Sequence, residues 1–286
     1  MAANTLPWEQ TVFRYEPSTV LAVVFLSLFA LASIAHAVQL YRRRQWFMTT
    51  ILIGCLLEVL GFALRLKAKE IAQEISRNTK IYSGQFACIV IAPIFFAAGV
   101  YILLSRMVTF VGTQYCPLPP RRIAQIFITA DILAFLVQIA GTFILLSAEQ
   151  NYSQFDVGLK VLIAGLAVQV LAILFYLVLA IRVYVKAYHV KGPWHRLMWS
   201  NLVCSGFILI RNTFRVIELW EGFESPIAKT EALVYVLDAG MMWVVAVVFL
   251  GVDPADRLVK EGERGSGDGE SEGESAETAE LRRNKA

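Results

Sequence analysis

Ten charged or amide side chains lie within, or at the edges of, long apolar stretches of this chain. Charges are costly in the interior of a membrane, so such side chains usually pair with one another or face a polar path. There they can bind a head group of opposite charge, carry a proton, or hold helices together. The set comprises Glu58, Arg65, Asp131, Gln138, Gln169, Arg211, Arg215, Glu218, Glu231 and Asp238.

Seven of these residues fall into three groups at helical spacing. Two stretches each carry a pair seven positions apart, which is two helical turns, and a third carries side chains four and three positions apart. We therefore predict one polar cluster among the second, sixth and seventh apolar stretches, at mid-depth or in the outer half of the membrane. Asp131 is predicted nearer the inside. The cluster comprises Glu58, Arg65, Arg211, Arg215, Glu218, Glu231 and Asp238.

Two interpretations of this cluster remain open. In the first, three carboxylates balance three arginines and lock the helices together, as Gln138 and Gln169 could do by hydrogen bonding across helices. In the second, at least two of the side chains bind or gate a substrate, since burying six charges for packing alone is costly. The balanced central set is Glu58, Glu218 and Asp238 against Arg65, Arg211 and Arg215.

The surrounding sequence is that of a membrane protein. Hydrophobic residues make up 57% of the 286 residues and charged residues 17%, against about 45–50% and about 25% in soluble domains. Seven apolar stretches are each long enough to cross a bilayer as a helix, which needs roughly 20 residues. We predict an all-α, seven-helix transmembrane bundle. The stretches are Val20–Leu40, Trp46–Leu64, Phe86–Leu104, Ile123–Leu146, Val157–Ile181, Met198–Ile217 and Ala232–Leu250.

The loops predict the orientation of this bundle. The first, third and fifth loops carry ten bases and no acid, which favours a cytosolic position for them. We therefore expect an extracellular segment at 1–18, the transmembrane domain at 19–251 and a disordered, acidic cytosolic tail at 252–286, whose Gly, Ser and Glu cannot form a core. Asn151 begins a glycosylation sequon on the predicted outer side. The bases are Arg42, Arg43, Arg44, Arg106, Arg121, Arg122, Arg182, Lys186, Lys191 and Arg196.

Several other functions find no support in the sequence. There is no phosphate-binding loop, no plausible Ser/His/Asp set and no grouping of His and Cys for a metal, so we expect no cofactor, no metal and no enzymatic activity. No basic run is interleaved with aromatic residues, which argues against nucleic acid as a partner. Pro93 interrupts the third stretch and predicts a helix kink, either a static bend or a hinge.

Two blocks and the order of the intramembrane polar residues resemble the fungal lipid-translocating exporters, the RTA-like membrane proteins. Residues 58–65 read EVLGFALR, and residues 92–106 read APIFFAAGVYILLSR. The seventh stretch closes with Asp253-Pro254, where that family usually has His-Pro. The resemblance extends from the first stretch to about Pro254, and its polar motif positions include the ten residues above.

The resemblance implies translocation or export of amphipathic molecules such as sphingoid long-chain bases, sterol-like toxicants or porphyrins, with resistance as the outcome. Membrane lipids and an amphipathic substrate are the expected partners. The plasma membrane is the expected location, with vacuolar and endoplasmic reticulum membranes as alternatives. A seven-helix receptor or sensor for a lipid-like ligand is the alternative function. The sequence leaves the substrate, energy source, direction and oligomeric state open.

Overall fold

Seven long helices make up the part of the chain that the structure describes. The structure is a computed structural model that describes residues 16–71, 79–147, 152–192, 194–222 and 230–251. A single turn of 3₁₀-helix, Trp46–Met48, leads into the second helix, and another, Thr113–Tyr115, follows the third. The helices are α1 Thr19–Arg43, α2 Thr49–Ile71, α3 Thr79–Val111, α4 Pro120–Ser147, α5 Tyr152–Ala187, α6 Trp194–Glu221 and α7 Glu231–Gly251.

Six of the seven predicted stretches each fall within one of these helices, and most of the helices extend beyond the predicted bounds. The second stretch, Trp46–Leu64, begins in the 3₁₀ turn before α2. Six of them, all except α6, are long and apolar enough to cross a membrane. Asn151, most of the predicted extracellular segment, the acidic tail and Asp253-Pro254 lie outside the described residues.

The seven helices form a closed ring. Helices that follow one another in the chain pack together, and α1 contacts α7 to close the ring. α3 also packs against α5, α6 and α7, and much of it is buried in the main apolar core. Because successive helices alternate in direction, the loops with the ten bases lie at one end of the bundle, which we call the basic end. The opposite end carries the start of α7 at Glu231, and we call it the Glu231 end.

α6 differs from its neighbours because its buried face is polar. Asn201, Ser205, Arg211, Asn212 and Arg215 are all buried on it. Large apolar side chains cover its exposed face, namely Trp199, Val203, Ile210, Ile217 and Trp220. This is the arrangement expected of a helix that faces lipid on one side and a polar interior on the other.

Glycines bring α4 and α5 into backbone contact. A Cβ atom added to Gly141 would lie 2.7 Å from the backbone nitrogen of Leu162, and one added to Gly158 would lie 2.7 Å from that of Leu145. Small residues permit such close approach, and the resulting van der Waals packing is a main source of helix association in membranes. The α4–α5 pair is therefore tightly fitted along its length.

We expect Gly141→Ala to destabilise the protein by about 1–3 kcal/mol, because the new methyl group must push two helix backbones apart. The midpoint of thermal unfolding of the purified protein in detergent micelles measures this. Gly206→Ala in α6 is the matched control, since among the described residues no atom beyond its own stretch of helix lies within 4 Å of a Cβ at that position. Equal unfolding midpoints for the two variants would contradict the proposed backbone contact.

Candidate functional site

A carboxylate held by two arginines lies at the centre of the intramembrane polar residues. Arg211 Nε donates to Asp238 Oδ1 at 2.5 Å, and Arg215 Nη2 donates to Asp238 Oδ2. Arg215 Nη1 also donates to Glu218 Oε2 at 3.1 Å. Arg211 and Asp238 are almost completely buried, with 1% and 3% of their surfaces exposed. We call Arg211, Arg215, Glu218 and Asp238 the buried ion cluster.

Local helix geometry brings these four side chains together. Arg211, Arg215 and Glu218 lie four and three residues apart on α6 and therefore share one face. Asp238 lies in a π-helical segment of α7, Tyr235–Gly240. A π-helical turn inserts an extra residue into the helical repeat and is frequent at functional sites. This local change of register directs Asp238 towards both arginines.

Glu58 of α2 lies beside this cluster without joining its hydrogen bonds. Only 1% of its surface is exposed, and its Oε2 is buried with no hydrogen-bond partner among the described residues. The charges of Asp238, Arg211 and Arg215 are close enough to act on it. The cluster holds two cations and two carboxylates and is balanced without Glu58. The Glu58 carboxyl is therefore the surplus acid of the site.

Arg211 also links the cluster to the proline of α3. A proline has no backbone N–H, so the carbonyl four residues earlier loses its helical partner. For Pro93 this is the carbonyl of Ile89, which accepts a hydrogen bond from Arg211 Nη2 at 3.3 Å. The Arg211 guanidinium group thus donates both to the carbonyl that the proline of α3 leaves without a helical partner and to Asp238 of α7.

A second ionic contact lies towards the Glu231 end. Arg65 Nη2 donates to Glu231 Oε1 at 3.0 Å, and Arg65 Nε donates to the Tyr235 hydroxyl at 3.0 Å. The other Glu231 oxygen accepts from the backbone N–H of Ser18 at 2.8 Å. The rings of Phe62 and Tyr235 stack 5.8 Å apart between this contact and the rest of the core. The predicted single cluster is thus two contacts, and Arg65 pairs with Glu231 instead of belonging to the central set.

Asp131 lies in a different place, between α3 and α4. It accepts a hydrogen bond from the Tyr101 hydroxyl at 3.0 Å. The ring of Tyr101 lies 4.7 Å from that of Tyr176. The Tyr176 hydroxyl has one hydrogen to donate, and it lies 2.7 Å from Asn201 Oδ1 and 2.9 Å from the carbonyl oxygen of Val100. This network ties α3 to α4, α5 and α6 and has the character of helix-to-helix hydrogen bonding.

The two buried glutamines, Gln138 and Gln169, lie in different surroundings. Gln138 is buried, and neither of its amide atoms has a hydrogen-bond partner among the described residues. Its side chain lies instead against Gly165 of α5, which has no side chain of its own to fill that space. Gln169 is buried on α5 and belongs to neither ionic contact. Among the described residues, Gln138 therefore does not join helices by a side-chain hydrogen bond.

Sequence reasoning missed several of the groups that complete these networks. Tyr101, Tyr176 and Asn201 are neutral, so a search for intramembrane charges passes over them. Asn201 and Asn212 could have been found from the polar stripe of α6, since they lie eleven residues apart and Asn212 lies three residues before Arg215, intervals that place residues near one helix face. The Ile89 carbonyl could have been found from Pro93, because the proline identifies which carbonyl is released.

We expect Asp238→Asn to lower the stability of the protein by about 3–5 kcal/mol, since it leaves two buried arginines without their shared counter-charge. Thermal unfolding in detergent micelles measures the change. Asp156→Asn is the matched control, because Asp156 forms an exposed ion pair with Lys160 at 2.7 Å and such pairs contribute about 0–1 kcal/mol. An Asp238→Asn variant as stable as the control would show that the cluster does not hold α6 and α7 together.

Comparison with known proteins gives the family. The family model described as "RTA1 like protein" matches residues 51–261. Protein RTA1 of Saccharomyces cerevisiae is 25% identical over 279 residues, covering 85% of this chain and 84% of its own length. The probable lipid transporter atnI of Emericella nidulans is 25% identical, covering 87% of this chain and 68% of its own length.

A third relative matches a shorter region more closely. The sphingoid long-chain base transporter RSB1 of Saccharomyces cerevisiae is 32% identical over 145 residues, covering 50% of this chain and 37% of its own length. No solved structure matches the chain. The match of the family model spans residues that carry α2 to α7, including Glu58 and the whole buried ion cluster. This chain is a member of the RTA1-like family of fungal membrane proteins.

Proposed function

We propose that this protein translocates amphipathic, lipid-like molecules across a membrane, from the inner towards the outer leaflet, and so confers resistance to them. The names of two relatives, a probable lipid transporter and a sphingoid long-chain base transporter, support this substrate class. The observation that carries the proposal is the buried Glu58, whose Oε2 has no hydrogen-bond partner among the described residues, beside a balanced ion cluster in an apolar bundle.

The proposed topology has seven spans, with the N-terminus outside and the C-terminus in the cytosol. The more polar α6 is counted as the sixth span because its charged face is turned into the bundle and its apolar face outwards. The ten bases at the basic end support a cytosolic position for that end. The plasma membrane is the proposed location.

Thiol labelling tests this orientation. We expect a cysteine at exposed position 70, at the Glu231 end of α2, to react with a membrane-impermeant maleimide on intact cells that carry the protein at the plasma membrane. A cysteine at exposed position 121, at the basic end of α4, should react only after the cells are permeabilised. Both variants, Glu70→Cys and Arg121→Cys, are made in a background without Cys55, Cys88, Cys116 and Cys204. The reverse labelling pattern would invert the proposed topology.

The contacts of the buried carboxyl groups support one of them as the place where a cationic head group docks. Glu58, Glu218 and Asp238 are the three candidates from the sequence. Asp238 is neutralised by Arg211 and Arg215, and Glu218 already accepts from Arg215. Glu58 is the carboxyl whose oxygen has no partner within the described ranges. We assign the head-group contact to Glu58, and to the arginines the role of fixing Asp238 beside it.

The exterior of the bundle suits the rest of an amphipathic molecule. Large apolar side chains are exposed along the helices, among them Leu60, Leu136, Phe143, Phe175 and Ile217. An acyl or sterol-like portion can remain against such a surface or in lipid, while the polar head requires a path through the interior. The protein's contribution is then to lower the cost of moving the head group, which needs no covalent chemistry.

A flux assay tests the proposed function. We expect the full-length protein in liposomes to move a fluorescent sphingoid base between leaflets, and Glu58→Gln to slow this movement by at least about 30-fold, as expected when a buried charge partner is removed. Glu70→Gln, on the exposed part of the same helix, should transport like the unchanged protein.

The outcomes separate the alternatives. Movement that persists in a well-folded Glu58→Gln variant would retain the transporter and reject Glu58 as the head-group site. No movement of any amphiphile by correctly folded protein would favour the receptor interpretation over the translocator.

A further inference from the structure

We infer that Glu58 is a shared site for one proton or one ammonium group, so that the protein exchanges a cationic amphiphile for a proton without moving net charge. This inference rests on the proposed translocation function and specifies its substrate class and driving force. It follows from the charge balance around one carboxyl group.

The first step is the composition of the Glu58 surroundings. From α6, Arg211 and Arg215 act on it, and from α7, Asp238 does. Two thiols interact electrostatically with Glu58, namely Cys55 on the same helix and Cys88 on α3. α1 also packs on α2, but its His36 is bonded to the carbonyl of Ala246 at 3.1 Å. The remaining titratable groups of α1 are Tyr41, Arg42 and Arg43 at the basic end.

The second step is the sum of these charges. Arg211 and Arg215 supply two positive charges, and Asp238 and Glu218 supply two negative charges through direct ion pairs. An ionised Glu58 would leave one negative charge uncompensated in a nearly water-free interior. An isolated buried carboxylate is strongly disfavoured, and a single positive charge removes the penalty. A proton and an ammonium group each supply that charge.

The third step is that the two occupants exclude each other. The ammonium group needs the ionised carboxylate as its counter-charge, so its binding releases the proton: Glu58–COOH and R–NH₃⁺ become Glu58–COO⁻ paired with R–NH₃⁺, plus H⁺. Both occupied forms are neutral at this site. The empty, ionised form carries the penalty described above and is therefore a poor state in which to change conformation.

The fourth step is the consequence for transport. If only the two neutral forms change conformation, each crossing of an ammonium head group in one direction is matched by a proton in the other. The exchange is then one to one and electroneutral. A difference of one pH unit would support about a tenfold ratio of the cationic amphiphile between leaflets, because one proton supplies the free energy. Rearrangement is required, since Glu58 is 1% exposed.

The experiment uses full-length protein in liposomes, a pH-sensitive dye in the lumen and a fluorescent single-chain quaternary ammonium compound as probe. A quaternary probe has no neutral form, so it cannot follow the pH difference by crossing as a free amine. The membrane potential is clamped with potassium and valinomycin. We expect probe added outside acid-loaded vesicles to enter the inner leaflet and the lumen to become less acidic, with one proton lost per probe.

Matched variants identify the residue responsible. Glu58→Gln cannot ionise and should lose both probe entry and proton release, whereas Glu58→Asp should retain their one-to-one ratio at a reduced rate. Glu70→Gln should equal the unchanged protein. Proton-coupled exchange that survives in Glu58→Gln would overturn the assignment to this residue.

Three further results would decide between this inference and the proposed function. Probe movement without proton release, or movement that follows the clamped potential instead of the pH difference, would overturn the exchange inference and leave translocation intact. Movement of neutral amphiphiles alone would reject the cationic substrate class. Failure to move any amphiphile, charged or neutral, would overturn the proposed function itself.

Discussion

Burial of charge in a low-dielectric interior is the constraint on which the rest of this structure depends. A buried arginine or carboxylate is costly unless a partner compensates its charge. The pairing of Asp238 with Arg211 and Arg215 meets this requirement and thereby fixes α6 against α7. The polar face of α6, the π-helical segment of α7 and the contact of Arg211 with α3 all serve to complete that pairing.

The same constraint links the proline of α3 to the buried ion cluster. Pro93 removes a backbone hydrogen bond from α3 and leaves the Ile89 carbonyl to be satisfied by another group. In lipid no water is present to satisfy it, so a neighbouring side chain must do so. Arg211 is that neighbour. One side chain therefore joins the point where α3 lacks a backbone hydrogen bond to the buried ion cluster.

The sequence predicts the helices, but it says much less about which side chains contact one another between helices. The seven helices follow from the length of apolar stretches, and the importance of Arg211, Arg215 and Asp238 follows from the cost of charge in a membrane. The pairing of Arg65 with Glu231 was not predicted, because spacing within a helix says which residues share a face and nothing about which helix lies opposite. The orientation of Asp238 depends on a π-helical turn that regular 3.6-residue spacing does not anticipate.

Neutral side chains form most of the hydrogen bonds between helices that were not predicted from the sequence. Asn201 bonds to the Val100 carbonyl of α3, and the Tyr176 hydroxyl lies within hydrogen-bond distance of both, yet neither side chain stands out in a membrane helix. Gln138 attracted attention because it is polar, but it fills space against Gly165. Polarity alone thus overestimates the structural importance of Gln138 and underestimates that of Asn201. The importance of a polar side chain depends on the hydrogen-bond partners that the fold supplies for it.

The glycine contact between α4 and α5 has a practical consequence for observing motion in this protein. Two helices whose backbones touch at Gly141 and Gly158 have little freedom to slide or tilt against each other. The α4–α5 pair is therefore a fixed reference against which displacements of the other helices can be measured. A pair of spin labels spanning α4 and α5 should report a constant separation during turnover. A change in the distance between a label on the α4–α5 pair and a label on α3 would then record a movement of α3 and not a deformation of the whole bundle.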